Sequence, residues 1–331
     1  FDRAAALYRK VISLWEEGKE AHEPDMRTLW RSLATALSNA GRSVDAAQAF
    51  LTASRGAPTA ESLELQRLAG DLLMTSGHLD EGQRVISEVM RRHRVHIPRK
   101  GWRTLLSLGW RRLLLRLRGL RFRERRESEI PAGELTRVDM FRTITSGMFF
   151  TDHIKGAELG TRWLHCALNA GEPGRILQAL TLEMNFISSS WKKESGYQRR
   201  VMARVDELLK TTERPIHFGL VEIARALRRY MAGDWIAAYN HAVTATDILA
   251  KVTGHHWEKA GVSTLTLWSL YYLGDINQMN AVGRTQYRDA LERDDLFAAS
   301  GSLMGLNNII YLNAGGADQA RSALEQVMRR W

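Results

Sequence analysis

One cysteine, Cys166, stands in 331 residues. No internal disulfide framework can form, and a lone thiol fits a reducing, cytoplasmic setting. Prolines number six, and Pro24, Pro58, Pro98, Pro131, Pro173 and Pro215 mostly fall where helices would begin or end. Alternating β-branched runs are missing, so almost no sheet is expected. No apolar run reaches the ~18 residues that a membrane-spanning helix needs.

Catalytic wording is missing as well. There is no Gly-rich Lys-Ser/Thr phosphate loop, no Gly-x-Gly-x-x-Gly, and no His-Arg-Asp or Asp-Phe-Gly set. His93 and His96 share a helix face but lack a Cys or carboxylate at ligand spacing, so they read as solvated basic-patch residues. His153 and His165 read as packed imidazoles, and Cys166, beside Leu164, Ala167 and Leu168, as a small buried hydrophobe. Asp139 and Asp152 are too isolated for an acid/base pair. The expectation is a chain that is not an enzyme, with no catalytic residue, no cofactor and no metal site.

What the chain does have is good helix formers and a recurring glycine. Gly233, Gly274 and Gly315 follow one another at an equal interval of 41 residues, with earlier members at Gly41, Gly77 and Gly171. Each follows an apolar helix end and precedes another helical pattern. A period of roughly 34–45 residues marks stacked helix pairs. Regular junctions and short connections favour such an array over a closed bundle. Around Gly41 the unit runs Leu33, Ala34, Leu37, Gly41, Ala46, Phe50, Ala53 and Pro58. Ala46 is small enough for two helices to cross closely, and Phe50 fills the space one turn on. This order of Gly, Ala, aromatic, Ala and Pro resembles the tetratricopeptide (TPR) repeat. Gly233 with Ala238 and Ala245, and Gly315 with Ala320, match more loosely. Gly82, Ile176 and Met279 stand where alanine is expected. The expected fold is all-α, a TPR-like α-solenoid forming a right-handed superhelix of antiparallel helix pairs. The periodicity predicts about sixteen helices, among them single helices over 99–123 and 295–313.

One segment breaks the pattern. Arg91 to Arg126 carries fourteen Lys/Arg and one acid, Glu124, so the basic balance of the chain is a local property. The expected division is 1–94, N-terminal repeats with a truncated first unit; 95–133, a basic amphipathic helix and connector; and 134–331, C-terminal repeats. Within the basic helix Leu106, Trp110, Leu113, Leu117 and Leu120 form an apolar stripe at i, i+4, i+7 spacing. Arg112 and Arg116 project toward another side, with Arg111 and Arg118 on a flank. Four readings follow. The stripe is solenoid core with arginines covering a neighbouring surface; the arginines dock a protein or another domain; the helix lies on an anionic membrane; or the arginines meet nucleic-acid phosphates. Arg111, Arg112, Arg116 and Arg118 are therefore candidate partner-binding residues. Trp191, in the polar stretch Ser188-Ser-Ser-Trp-Lys-Lys, joins them as an exposed aromatic.

The stretch Trp110-Arg-Arg-Leu-Leu-Leu-Arg-Leu-Arg-Gly-Leu-Arg-Phe-Arg-Glu-Arg, with Glu129-Ile-Pro-Ala-Gly-Glu-Leu-Thr-Arg-Val-Asp, resembles the carboxy-terminal helical region of large bacterial serine/threonine protein kinases. In that family a kinase domain precedes an AAA-like (STAND-type) ATPase module and a TPR-like array. The opening Phe1-Asp-Arg-Ala-Ala-Ala-Leu-Tyr-Arg-Lys and Arg162-Trp-Leu-His-Cys-Ala-Leu-Asn-Ala-Gly-Glu-Pro are similar too. The resemblance covers about the first 180 residues. It implies a non-catalytic, partner-sensing or scaffolding array appended to a signalling enzyme, cut from a longer protein, and carries over no catalytic residue. A protein, a peptide or another domain of the same polypeptide is the expected partner. Nucleic acid or an anionic membrane engaged through Arg91–Arg126 is the alternative, and no small-molecule substrate is inferred.

Overall fold

The computed structural model describes residues 1–17, 25–93, 95, 101–148, 152–188, 195–312 and 316–330. Among them are seventeen α-helices, two short 3-10 turns and no strand. Helices consecutive in sequence pack as pairs, the arrangement of an α-solenoid. Gly315, Trp191, Trp331 and the basic residues Arg94, Arg99 and Lys100 lie outside the described residues.

The chain forms two compact units. The first comprises Phe1–Arg94, Thr253–Ala260 and Arg284–Trp331. It begins with α1 (Asp2–Glu16), α2 (Met26–Asn39), α3 (Ser43–Ser54), α4 (Thr59–Thr75) and α5 (Leu79–Arg92). Leu33, Ala34, Leu37, Ala46, Phe50 and Ala53, the apolar positions of the clearest sequence repeat, are all in its core. The second comprises Val95–Val252 and Gly261–Gly283. It contains α6 (Gly101–Arg118), α7 (Ala132–Met148), α8 (His153–Ala170), α9 (Pro173–Ser188), α10 (Gly196–Leu209), α11 (Pro215–Met231) and α12 (Trp235–Ala250). α13 (His256–Leu273) and α14 (Ile276–Glu292) each give residues to both units, and α15 (Leu296–Gly301), α16 (Ile309–Leu312) and α17 (Ala317–Met328) complete the first.

At four of its six positions the repeated glycine has the same physical job. Gly41 takes φ +80°, its N–H bonds to the Ser38 carbonyl at 3.0 Å, and the Arg42 N–H reaches back to Leu37 at 2.9 Å. That is a Schellman closure, which demands a left-handed residue. The same pair of bonds recurs at Gly77, Gly233 and Gly274. In the last two the next residue, Asp234 or Asp275, caps the following helix by accepting from Ala237 or Gln278. One dipeptide thus ends a helix and starts its partner.

Two predicted helices are shorter than expected. The basic helix stops at Arg118, because Gly119 turns left-handed at φ +73° and residues 119–126 run without helix. That stretch is held instead by α8, whose terminal Gly171 carbonyl accepts from the Arg125 N–H at 3.0 Å. The helix expected over 295–313 is broken after Gly301, into a 3-10 turn (Gly305–Asn308) and α16. Asn307 and Asn308 donate to the carbonyls of Gly301 and Leu303 at 2.6 and 2.9 Å, satisfying backbone that the interrupted helix leaves open.

Within the first unit, segments far apart in sequence meet. The Phe297 N–H donates to the Ser76 carbonyl at 3.2 Å, and Gly41 faces Arg293 and His256. A nearest-neighbour repeat array does not predict such contacts.

Candidate functional site

The basic helix α6 packs on α8 with the opposite orientation to the one its composition suggests. In amphipathic helices the leucine stripe normally faces the core. Here Leu106 is 64% exposed, Trp110 61%, Leu113 47% and Leu117 76%. Trp102, Leu105 and Leu114 are exposed beside them, while Leu120 is half-buried. The inward face is polar in character. It holds Thr104, Leu115 and half-buried Ser107, Leu108, Arg111 and Arg112.

Buried carboxylates explain the inversion. Glu158, on α8, has no exposed surface. Its Oε1 accepts from the Ser107 hydroxyl at 2.7 Å, Arg111 Nε at 3.1 Å, and Arg162 Nε and Nη2 at 2.7 and 2.6 Å. Glu183, on α9, is almost as buried and accepts from Arg112. Burial pushes the Glu183 carboxyl above its usual value, and the positive charge of Arg112 opposes that rise. The Tyr197 hydroxyl stands beside it and is itself pushed up by burial. Two buried anions need cations more than the core needs two leucines, since an unpaired buried charge is far costlier than exposed hydrocarbon. The arginines go in, and the leucines are left out.

Of the candidate residues, Arg111 and Arg112 are thus turned inward onto Glu158 and Glu183. Arg118 closes the helix end, donating to the Asn169 Oδ1 at 2.9 Å and the Arg121 carbonyl at 3.0 Å. Arg116 is exposed, as are Arg103, Arg121, Arg123 and Arg126. Trp191 lies outside the described residues.

The two aspartates singled out in the sequence have structural roles. Asp139 takes a two-pronged salt bridge from Arg175, at 2.8 and 2.9 Å, and Asp152 caps α8 by accepting from the Lys155 N–H at 3.0 Å. Burial pushes the Cys166 thiol up, away from the reactive thiolate. Among the described residues no three His, Cys, Asp or Glu side chains gather as a metal site, and no helix is long and apolar enough to cross a membrane.

Among the described residues, the outer face of α6 is an apolar surface that packing leaves unexplained. Its sequence signal was the stripe itself; its direction was not readable. Compared with known proteins, the chain matches no family model, and a search of the curated proteins finds no match.

Proposed function

We propose that this chain is a non-catalytic, TPR-like helical-repeat region, wound as a right-handed superhelix, that works by docking, and that the outer face of α6 is its contact surface. The observation carrying this reading is the exposed leucine and tryptophan stripe. Soluble proteins rarely expose contiguous apolar patches without a use for them. The face stands on a rigid base, because Arg111 and Arg112 anchor α6 to buried carboxylates on two other helices. The resemblance to repeat regions of bacterial signalling kinases with a STAND-type ATPase module supports a role in sensing or scaffolding within a signalling protein. Such arrays act through surfaces rather than through pockets with reacting groups.

The docking reading requires the face to be open in solution. Leu106→Cys and Leu113→Cys, made singly in a Cys166→Ala background, are expected to react with a maleimide at close to the rate of the denatured chain. Strong protection of both thiols would mean that the chain covers this face itself, and the reading would fall.

A further inference from the structure

We propose that the outer face of α6 seats on the surface of an anionic lipid bilayer, lying in the headgroup layer without crossing it. This rests on the docking reading and names the occupant. Apart from glycine, every exposed residue of α6 is leucine, tryptophan or arginine. None of these side chains accepts a hydrogen bond. A protein interface usually carries about one hydrogen bond per 100–200 Å², with donors and acceptors on both sides. This face offers hydrocarbon, indole and guanidinium alone, a composition that suits lipid chains below and phosphate oxygens above.

The arrangement matches as well as the composition. Arg103 and Arg116 are 13 residues apart, which places them about 140° from each other around a helix. Trp102, Leu106, Trp110, Leu113 and Leu117 all fall within that arc, and the exposed Leu105 and Leu114 lie about 20° outside it, one on each side. A helix lying in an interface needs this order: apolar residues, Trp among them, facing down and cations toward both sides at headgroup level. Arg121, Arg123 and Arg126 extend the exposed charge beyond the helix end, beside the exposed acids Glu124, Glu127 and Glu129. A second copy of this chain is a poor occupant, since a symmetric contact would set arginine edges against arginine edges. Nucleic acid offers phosphates but no complement to a leucine ridge.

The test uses the whole chain and vesicles of phosphatidylcholine, alone or mixed with equal parts of phosphatidylglycerol, read by co-sedimentation. The chain is expected to sediment with the anionic vesicles and to be released by salt. Arg103→Gln and Arg116→Gln should each weaken binding about fivefold. The triple variant Leu106→Ser, Leu113→Ser, Leu117→Ser should abolish it with an unchanged melting temperature. Should the triple variant fold poorly, Leu117→Ser alone, at the most exposed position, should still weaken binding about tenfold. No sedimentation at low salt overturns the proposal, as does binding indifferent to the leucine changes. Binding to duplex DNA that survives them overturns it in favour of a phosphate footprint. Failure with vesicles while the Leu106→Cys and Leu113→Cys thiols react freely removes the lipid but leaves the docking reading. Failure with protected thiols removes both.

Discussion

Replacing Glu158 by leucine tests whether α6 is held by charge or by its few apolar contacts. The carboxylate takes four hydrogen bonds through one oxygen, from Ser107, Arg111 and Arg162. Removing it takes this anionic partner from two guanidinium groups, with Arg162 12% exposed and Arg111 37% exposed. Breaking a buried pair in this way costs about 3–5 kcal/mol. Because Arg111 can rehydrate through its open side, the lower half of that range is expected, about 3–4 kcal/mol. Glu158→Gln keeps an acceptor and loses only the charge. Charge-assisted bonds are about twice as strong as neutral ones, so a smaller loss of about 1–2 kcal/mol is expected. Urea unfolding followed by far-ultraviolet circular dichroism measures both. Hydrogen exchange should show the α6 amides losing protection first in the leucine variant. Glu88, bonded by Arg91 and Arg92 on the open surface of α5, is the matching control. Its alanine variant should leave stability unchanged, as exposed pairs usually do. If Glu158→Leu were no worse than Glu88→Ala, the account of why α6 turns its leucines outward would be wrong.

Asp295 caps α15 from a buried position, and burial pushes its carboxyl from the ordinary 3.8 to about 6. The folded chain therefore binds this proton more tightly than the unfolded chain does. Stability should be greatest below the ordinary value and fall as pH rises toward 6, by about 3 kcal/mol in all. Asp295→Asn keeps the cap and should flatten that part of a melting-temperature profile against pH; an unchanged profile would refute the assignment. Gly171 and Gly233 share a left-handed backbone, at φ +86° and +77°. An added methyl at Gly171 meets the Arg123 carbonyl, while at Gly233 nothing lies within 4 Å. Both alanine variants should lose about 1–2 kcal/mol from the backbone alone. Gly171→Ala should lose about 1–3 kcal/mol more from the clash, and equal losses in urea titrations would contradict it.

The ends of the helices were legible because their causes are local. A glycine that must turn left-handed is written within a few residues at Gly233 and Gly274, whereas the capping role of the neighbouring Asp234 and Asp275 emerged from the structure. The small core residues Ala46, Ala53, Ala238 and Ala245 were legible for a similar reason, since spacing from the glycine fixes which face they share. The break after Gly301 was less so. The run Ala298-Ala-Ser-Gly-Ser allows helix, and the left-handed Gly305, with the side chains of Asn307 and Asn308 reaching back to the Gly301 and Leu303 carbonyls, favours the interruption.

The orientation of α6 was not legible at all, and the reason bears on the proposed function. A hydrophobic stripe states that one face of a helix is apolar; it does not state which face has a partner. That was settled by Glu158, 47 residues from Arg111, and by Glu183, 71 residues from Arg112. Asp139 is a smaller case, reading as isolated until the fold brings Arg175 to it across 36 residues. Exposing seven large apolar residues carries a penalty that a simpler helix would avoid, by placing leucines inward and alanines at 158 and 183. The buried glutamates therefore do more than hold α6 in place. They fix it in the one orientation that presents Leu106, Trp110, Leu113 and Leu117 to the outside, which is what the proposed docking requires.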